Sequence, residues 1–226
     1  TCAFPIYGTR FVRPGKAVLE LRVKDEIKPF LYRVPPELGK FRKLFQTLGC
    51  DEFVTCAHYA VVLKNLQKDC GDAKLHPNEL KMCFKAVKGF FETLQEKSEE
   101  ASALSSLSTL YLPATPSGIR CLEKNLNTIS VTLHKSSELV FNDVPAYEDR
   151  IKELRQHFLL DLKLMEVRVT QTMTNFKELM MKLPLQLQPK MLSLEVREKL
   201  INGVFVKSSV FDLMMLRLCT DRKSVV

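Results

Sequence analysis

The sequence has no tryptophan, and its 8 glycines in 226 residues are scattered singly. No Gly-x-Gly-x-x-Gly run and no Walker pattern occurs, so the backbone N–H cradle that holds a nucleotide phosphate is missing. This chain alone is expected neither to bind nor to hydrolyse ATP, and no cofactor is expected. Long apolar runs are missing too. Even Leu159 to Val169 is broken by Asp161, Lys163, Glu166 and Arg168, short of the ~18 to 20 apolar residues a membrane span needs. No signal-peptide pattern opens the chain, which starts Thr1-Cys2-Ala3 without methionine and is read as a piece of something longer. Close cysteine pairs are also lacking. Seven cysteines without framework spacing (Cys2, Cys50, Cys56, Cys70, Cys83, Cys121 and Cys219) fit reduced thiols in a cytoplasmic protein better than a disulfide scaffold.

What is present belongs to an ordinary folded chain of 25.9 kDa, 46% hydrophobic and 27% charged, large enough to bury a sizeable core. Leu19, Leu21 and Val23 alternate with Glu20 and Arg22, a half-buried strand pattern. After Val34-Pro35-Pro36 the spacing becomes helical. Leu38, Phe41 and Phe45 share a face that ends at Gly49. A second helix over 55–69 turns Tyr59, Val62, Leu63 and Leu66 inward. A third, over 77–101, opens on Pro77 and buries Leu80, Phe84, Val87, Phe91 and Leu94, widened by Cys83 and Phe90. Ser102 to Ser108 is the best candidate for an internal linker or a frayed helix end.

Beyond it, Leu110-Tyr111-Leu112 is expected to be a strand stopping at Pro113. Ile129, Val131 and Leu133 alternate as a strand, and Glu138 to Phe141 is expected to pair with it across Lys135-Ser136-Ser137. Asp143 and Pro145 open a helix carrying Tyr147, Ile151, Leu154 and Phe158 on one face, and the last 60 residues read as mainly helical. The expected fold class is α+β, predominantly α-helical: a helical core with a short N-terminal β segment and a small central antiparallel sheet. It divides into 1–108 and 109–226 within one compact unit.

Several chemistries can be weighed on these residues. Cys50, Cys56, His58, Cys70, His76 and Cys83 are the densest ligand cluster, but none forms the Cys-x-x-Cys pair that brings two ligands to zinc from one turn. Arg150 and His157 have a spacing that some helical ribonucleases use, and chance supplies it easily in a basic chain. No Gly-x-Ser-x-Gly supports a nucleophile, and no metal or catalytic residue is assigned. The charge is 34 basic against 26 acidic residues, a net +8. The first 50 residues hold ten basic and four acidic side chains, including Arg10, Arg13, Lys16, Lys40, Arg42 and Lys43. A nucleic-acid groove would add exposed aromatics for stacking, whereas Phe41 and Phe45 fit the buried side of a helix. A docking face is therefore preferred. Seven of the eight methionines lie beyond residue 164, and Met180, Met181, Met214 and Met215 are the candidates for an adaptable apolar binding surface.

Several segments together resemble the repeated region of the sacsin family. They are Gly8-Thr9-Arg10-Phe11-Val12-Arg13-Pro14-Gly15-Lys16, Leu31-Tyr32-Arg33-Val34-Pro35-Pro36-Glu37-Leu38, and Phe53-Val54-Thr55. Leu110-Tyr111-Leu112-Pro113 and Ser136-Ser137-Glu138-Leu139-Val140-Phe141-Asn142-Asp143-Val144-Pro145 join them. The resemblance implies a part of a very large cytoplasmic, mitochondria-associated co-chaperone. In that family large repeats are headed by an ATPase-like module similar to the ninety-kilodalton heat-shock chaperone. None of that module's nucleotide motifs occurs here, so the implied part is a non-ATPase one. It acts in protein quality control through protein–protein interaction, and its expected partners are neighbouring modules of the same chain, heat-shock chaperones and unfolded client proteins. A basic nucleic-acid-binding module and an enzyme with a non-local His/Cys site are the alternatives.

Overall fold

The structure, a computed structural model, describes residues 4–7, 10–96, 104–116, 130–147 and 157–193. It is a mixed α+β fold with substantial helical content, short N-terminal strands and small sheets. A hairpin of β1 (Phe4–Tyr7) and β2 (Arg10–Val12) leads through a 3-10 turn, Pro14–Lys16, into β3 (Ala17–Glu20). β3 is the middle strand of a parallel three-stranded sheet, with β4 (Tyr32–Arg33) on one side and β5 (Asp51–Phe53) on the other.

Ala17, Val18 and Leu19 are all buried because both faces of β3 are covered. Ala17 and Leu19 join a small core with Val12, Tyr32, Val34, Phe45 and Cys50, while Val18 belongs to the main core. The strand ends at Glu20, so Leu21 turns into the main core and does not continue the face of Leu19. Between β4 and β5 run a 3-10 segment, Pro36–Phe41, and the short α1 (Arg42–Thr47).

The centre of the molecule is the pair α2 (Cys56–Cys70) and α3 (Pro77–Glu96). α2 opens with a capping box in which Thr55 N donates to His58 Nδ1 at 3.2 Å, and it closes at Gly71, whose φ is +59°. Its buried residues are those the spacing selects: Tyr59, Val62, Leu63 and Leu66, with Cys56 and Ala60. On α3, Cys83, Val87, Phe90, Phe91 and Leu94 are buried, whereas Leu80 and Phe84 are only partly covered. Phe90 and Phe91 meet edge to face with ring centroids 5.2 Å apart. Residues 97–101, which the periodicity adds to this helix, lie outside the described residues.

The second sheet corrects the expectation of a small antiparallel one. It has five strands in the order β10-β8-β9-β6-β7 and is mixed. β6 (Tyr111–Pro116) pairs antiparallel with both β7 (Thr132–Lys135) and β9 (His157–Leu159). β8 (Val140–Phe141) lies parallel to β9 on one side and to β10 (Lys190–Met191) on the other. β7 and β8 therefore do not form a hairpin; a 3-10 turn at Ser136–Glu138 carries the chain away.

β6 also runs through Pro113 instead of stopping there. The proline carbonyl accepts from Leu160 N at 3.0 Å. A strand residue's N and O point the same way, so the missing N–H falls at the end of the β6–β9 ladder, whose register begins at Ala114↔Leu159. Phe158 is a strand residue paired with Thr115, not part of a helix begun at Asp143. Only a 3-10 turn, Pro145–Tyr147, follows Asp143, and residues 148–156 lie outside the described residues. In the C-terminal part α4 (Phe176–Met181) and a 3-10 turn at Leu185–Leu187 stand in largely irregular chain between β9 and β10, and residues 194–226, most of the stretch expected to be mainly helical, lie outside the described residues.

One buried cluster runs from Val18 to Met191 and takes side chains from both sides of residue 108. Leu104, in the stretch expected to be a linker, is buried within it. Leu75, between α2 and α3, is tied to the residue just before β7 by a bond from its N–H to Val131 O at 2.9 Å.

Candidate interaction surface

The surface candidates begin with the basic side chains of the N-terminal region. Arg10 lies in β2, with its side chain outside the described residues. Arg13 is exposed beside the 3-10 turn that carries Lys16, whose ammonium stands 5.6 Å from the centre of the Phe30 ring. Lys40, Arg42 and Lys43 come from one stretch, the junction of the 3-10 segment with α1. Lys40 sits over the Phe41 ring at 5.1 Å, and Lys43 is exposed.

Arg42 is not a free cation. Its guanidinium bridges Glu20 at 3.3 Å and Glu52, while Gln46 Nε2 donates to the second oxygen of Glu52 at 3.0 Å. The fold thus carries two acidic residues onto the basic segment, one from β3 and one from β5, so the positive patch is smaller than the first 50 residues suggest.

Phe41 does not lie on the buried side. It is 45% exposed, Leu44 53% and Phe53 54%, while Phe45 is in the small core. The cause is a change of helical period. A 3-10 turn advances about 120° per residue and an α-turn about 100°, so phase is lost where the two join, between Phe41 and Arg42. Exposed aromatic and aliphatic groups interleaved with Lys40 and Lys43 are the feature that sequence spacing misses. The Pro35-Pro36 start gives no warning of it, since a proline in the first turn suits an α-helix equally well.

The methionines divide. Met180 is fully buried in the main core, which takes it off any binding surface, because α4 turns Leu179 and Met180 inward. Met181 is 60% exposed. Met214 and Met215 lie outside the described residues.

The thiols and imidazoles have structural partners. Cys56 Sγ donates to Phe90 O at 3.4 Å, joining α2 to α3. Burial pushes the thiols of Cys83 and Cys50 up, with Asp51 adding to the effect at Cys50. Burial and the neighbouring Glu79 raise Cys70 to about 11. These groups are thiols, not thiolates, at neutral pH, and a thiol is a poor nucleophile and a poor metal ligand. His58 accepts from Thr55 N at Nδ1, which assigns the proton to Nε2, and Nε2 faces Asp51 at 3.1 Å. Both ring nitrogens are therefore engaged. Among the described residues no three His, Cys, Asp or Glu side chains converge as a metal site. His157 is on β9, stacked on His134 with centroids 4.1 Å apart, and not on the helix that an Arg-x6-His pair needs; Arg150 lies outside the described residues.

One polar cluster that the spacing does not flag joins three segments. Asp143, whose side chain is 2% exposed, accepts from Lys177 Nζ at 2.8 Å, Leu192 N at 2.9 Å and Ser193 Oγ at 3.0 Å. It pins the end of β8 to α4 and to the chain after β10. Burial alone would raise its pKa, but the bonds from Lys177, Ser193 and Leu192 outweigh that and hold the carboxyl below its ordinary range. Asp143 stands in the Asn142-Asp143-Val144-Pro145 stretch, where the helix-start pattern hides this use.

The fold and surface define a mixed α+β module whose main core spans both halves of the described chain, with apolar and basic groups exposed around α1. No helix among the described residues is long and apolar enough to cross a membrane. In sequence the chain is a sacsin-related region: it is 31% identical to human sacsin over 197 residues, 85% of its own length. It spans about 4% of the length of that relative. No family model and no solved structure matches.

Proposed function

We propose that the chain is a structural and protein-interaction segment of a sacsin-type co-chaperone, serving protein folding and quality control without catalysis of its own. Its place is the cytoplasm, in association with mitochondria, and its partners are neighbouring modules, heat-shock chaperones and unfolded client proteins. The observation that carries the reading is the exposed Phe41 and Leu44 beside Lys40 and Lys43. Exposed apolar groups next to cations suit transient contact with varied partially unfolded chains, because the binding energy is spread and needs no fixed constellation. The relationship to human sacsin over most of the chain supports the same reading. The engagement of Arg42 by Glu20 and Glu52 weighs against the nucleic-acid alternative, since it removes a cation from the patch. The raised thiols of Cys50, Cys70 and Cys83 weigh against a cysteine-based enzyme.

The test is aggregation of a heat-denatured client followed by light scattering with the purified chain present. Slower aggregation is expected, with Phe41→Ser plus Leu44→Ser reducing the effect several-fold at an unchanged melting temperature. Unaltered client aggregation would remove the client-binding part of the proposal, and saturable ATP turnover would remove the non-catalytic part.

A further inference from the structure

α3 carries Lys81, Lys85 and Lys88 along one side. Lys88 has two carboxylates, Glu92 at 4.0 Å and Glu166 at 3.0 Å. Lys81 and Lys85 have none among the described residues. The Lys85 ammonium donates to the backbone carbonyl of Glu26 at 2.7 Å, which leaves its charge uncompensated, and Lys81 is exposed. Like charges one turn apart on a helix repel. The fold adds to that repulsion by bringing a third ammonium, Lys28, to the same place from the chain before β4.

A cavity of about 490 Å³ between that chain and α3 is lined by Glu26, Ile27, Lys28, Lys81, Met82 and Lys85. Three cations less one carboxylate leave it a net +2. The carboxylate is already engaged on both oxygens: Glu26 accepts from Arg33 N at 3.0 Å and meets Lys28 Nζ at 3.2 Å. The acidic residues nearest in sequence turn elsewhere. Asp25 lies near the Tyr59 phenol and Glu79 accepts from His76 N at 2.7 Å, and neither lines the cavity. The cations are open to an incoming group, since Lys81 is exposed and the Lys28 side chain is 51% exposed. Charge gathered against its own repulsion on an otherwise consistent helix is the kind of local conflict that function explains.

We infer that this cavity is a phosphate-binding site that takes a phosphorylated serine or threonine side chain of a neighbouring polypeptide. A phosphate monoester carries roughly two negative charges at neutral pH and offers three acceptor oxygens. That matches the net charge and the three ammonium groups. Ammoniums are compact point charges that meet a phosphate from several directions, without the planar fit that pairs a guanidinium with a carboxylate. A single carboxylate would leave one positive charge over. No aromatic ring lines the cavity to stack a base, which disfavours a nucleotide as the source of the phosphate. The inference rests on the interaction-segment reading above and gives it a partner chemistry.

The experiment follows the backbone amide resonances of Ile27 and Met82 in the ¹⁵N-labelled full chain. The probes are a capped Ala-Gly-Xaa-Gly-Ala peptide, with Xaa phosphoserine, serine or glutamate, and AMP. Saturable movement by the phosphoserine peptide is expected, about tenfold tighter than by the serine peptide, the glutamate peptide or AMP. Lys81→Ala should weaken it about tenfold, whereas Lys64→Ala, an exposed cation of α2 outside the cavity, should leave it unchanged. Equal response to the phosphoserine and glutamate peptides, AMP binding as tightly as the phosphopeptide, equal loss in the two variants, or no saturation would overturn it. The comparison of probes uses the wild-type chain, so it stands whatever either variant does to folding. Failure here leaves the client-aggregation result untouched, because that assay reads Phe41 and Leu44, which do not line the cavity.

Discussion

Gly89 lies in the middle of α3, where glycine ordinarily costs a helix about 1 kcal/mol relative to alanine. On propensity alone, Gly89→Ala should stabilise the protein. The structure reverses the sign. A Cβ at this position would lie 2.6 Å from Cε1 and 2.8 Å from the phenol oxygen of Tyr59 on α2, and closer still to Cζ. That ring is almost fully buried and packed in the main core, so it cannot swing into solvent. Relieving the overlap requires separation of α2 and α3 or an off-rotamer ring, and overpacking of this kind costs about 1–3 kcal/mol. Taking the middle of that range and setting the propensity gain against it, Gly89→Ala should lose about 1 kcal/mol, or roughly 2–4 °C in melting temperature for a chain of this size. The decisive measurement is a double-mutant cycle in urea with Tyr59→Leu. In the Tyr59→Leu background the obstruction is gone and Gly89→Ala should gain about 1 kcal/mol, a coupling of about 2 kcal/mol. If the alanine stabilises the wild-type background, or if its effect is the same in both, then the close approach of the two helices does not govern Gly89 and the reasoning fails.

Other measurements bear on separate parts of the structure. Asp143→Ala strands the Leu192 N–H and leaves Lys177 without its carboxylate, and should cost about 2–3 kcal/mol at pH 7. Because the folded carboxyl titrates below its unfolded value of about 4, its stabilisation is present above that pH and lost as pH falls through the folded value. The acid side of the wild-type stability profile should therefore be steeper than that of Asp143→Ala, and parallel profiles would contradict the account. Glu166 has φ +57° while its carboxylate meets Lys88 at 3.0 Å. Glu166→Val should cost about 2 kcal/mol and Glu166→Gly within about 0.5 kcal/mol of nothing; equal losses would mean that the ion pair and not the backbone sets the position. With its pKa at about 11, Cys70 should alkylate slowly at pH 7.5 and faster as pH rises, while the fully buried Cys83 should react only after unfolding. Peptide mapping after timed alkylation checks both.

The parts of the fold that sequence spacing conveys are the local ones. α2 has repeating buried positions, a capping box and a stop at Gly71, and α3 has repeating buried positions behind Pro77, so Tyr59, Leu63, Val87 and Phe91 fall where the period puts them. The strands are recognisable as extended chain, but their partners are not. β3 pairs with β5 across more than thirty residues, and β8 pairs with β10 across fifty, and no local pattern encodes such pairings. Spacing misplaces Phe158 because a four-residue step from Leu154 fits a helix, whereas pairing with β6 and β8 on its two sides decides the outcome. At the surface, Lys40 and Lys43 are visible as charge, but the exposure of Phe41 depends on the 3-10 to α junction. The loss of Arg42 to Glu20 and Glu52 depends on a parallel sheet that brings together residues far apart in sequence.

The buried cluster that begins at Val18 and closes at Met191 also bears on how the protein is made. Its last member leaves the ribosome about 170 residues after its first, on the order of ten to thirty seconds at ~5–20 residues per second. In that interval the apolar faces of α2 and α3 wait for the later members of the cluster, one edge of β6 waits for β9 and one edge of β8 for β10, so the nascent chain is itself a protein in need of protection until its C-terminal strands arrive.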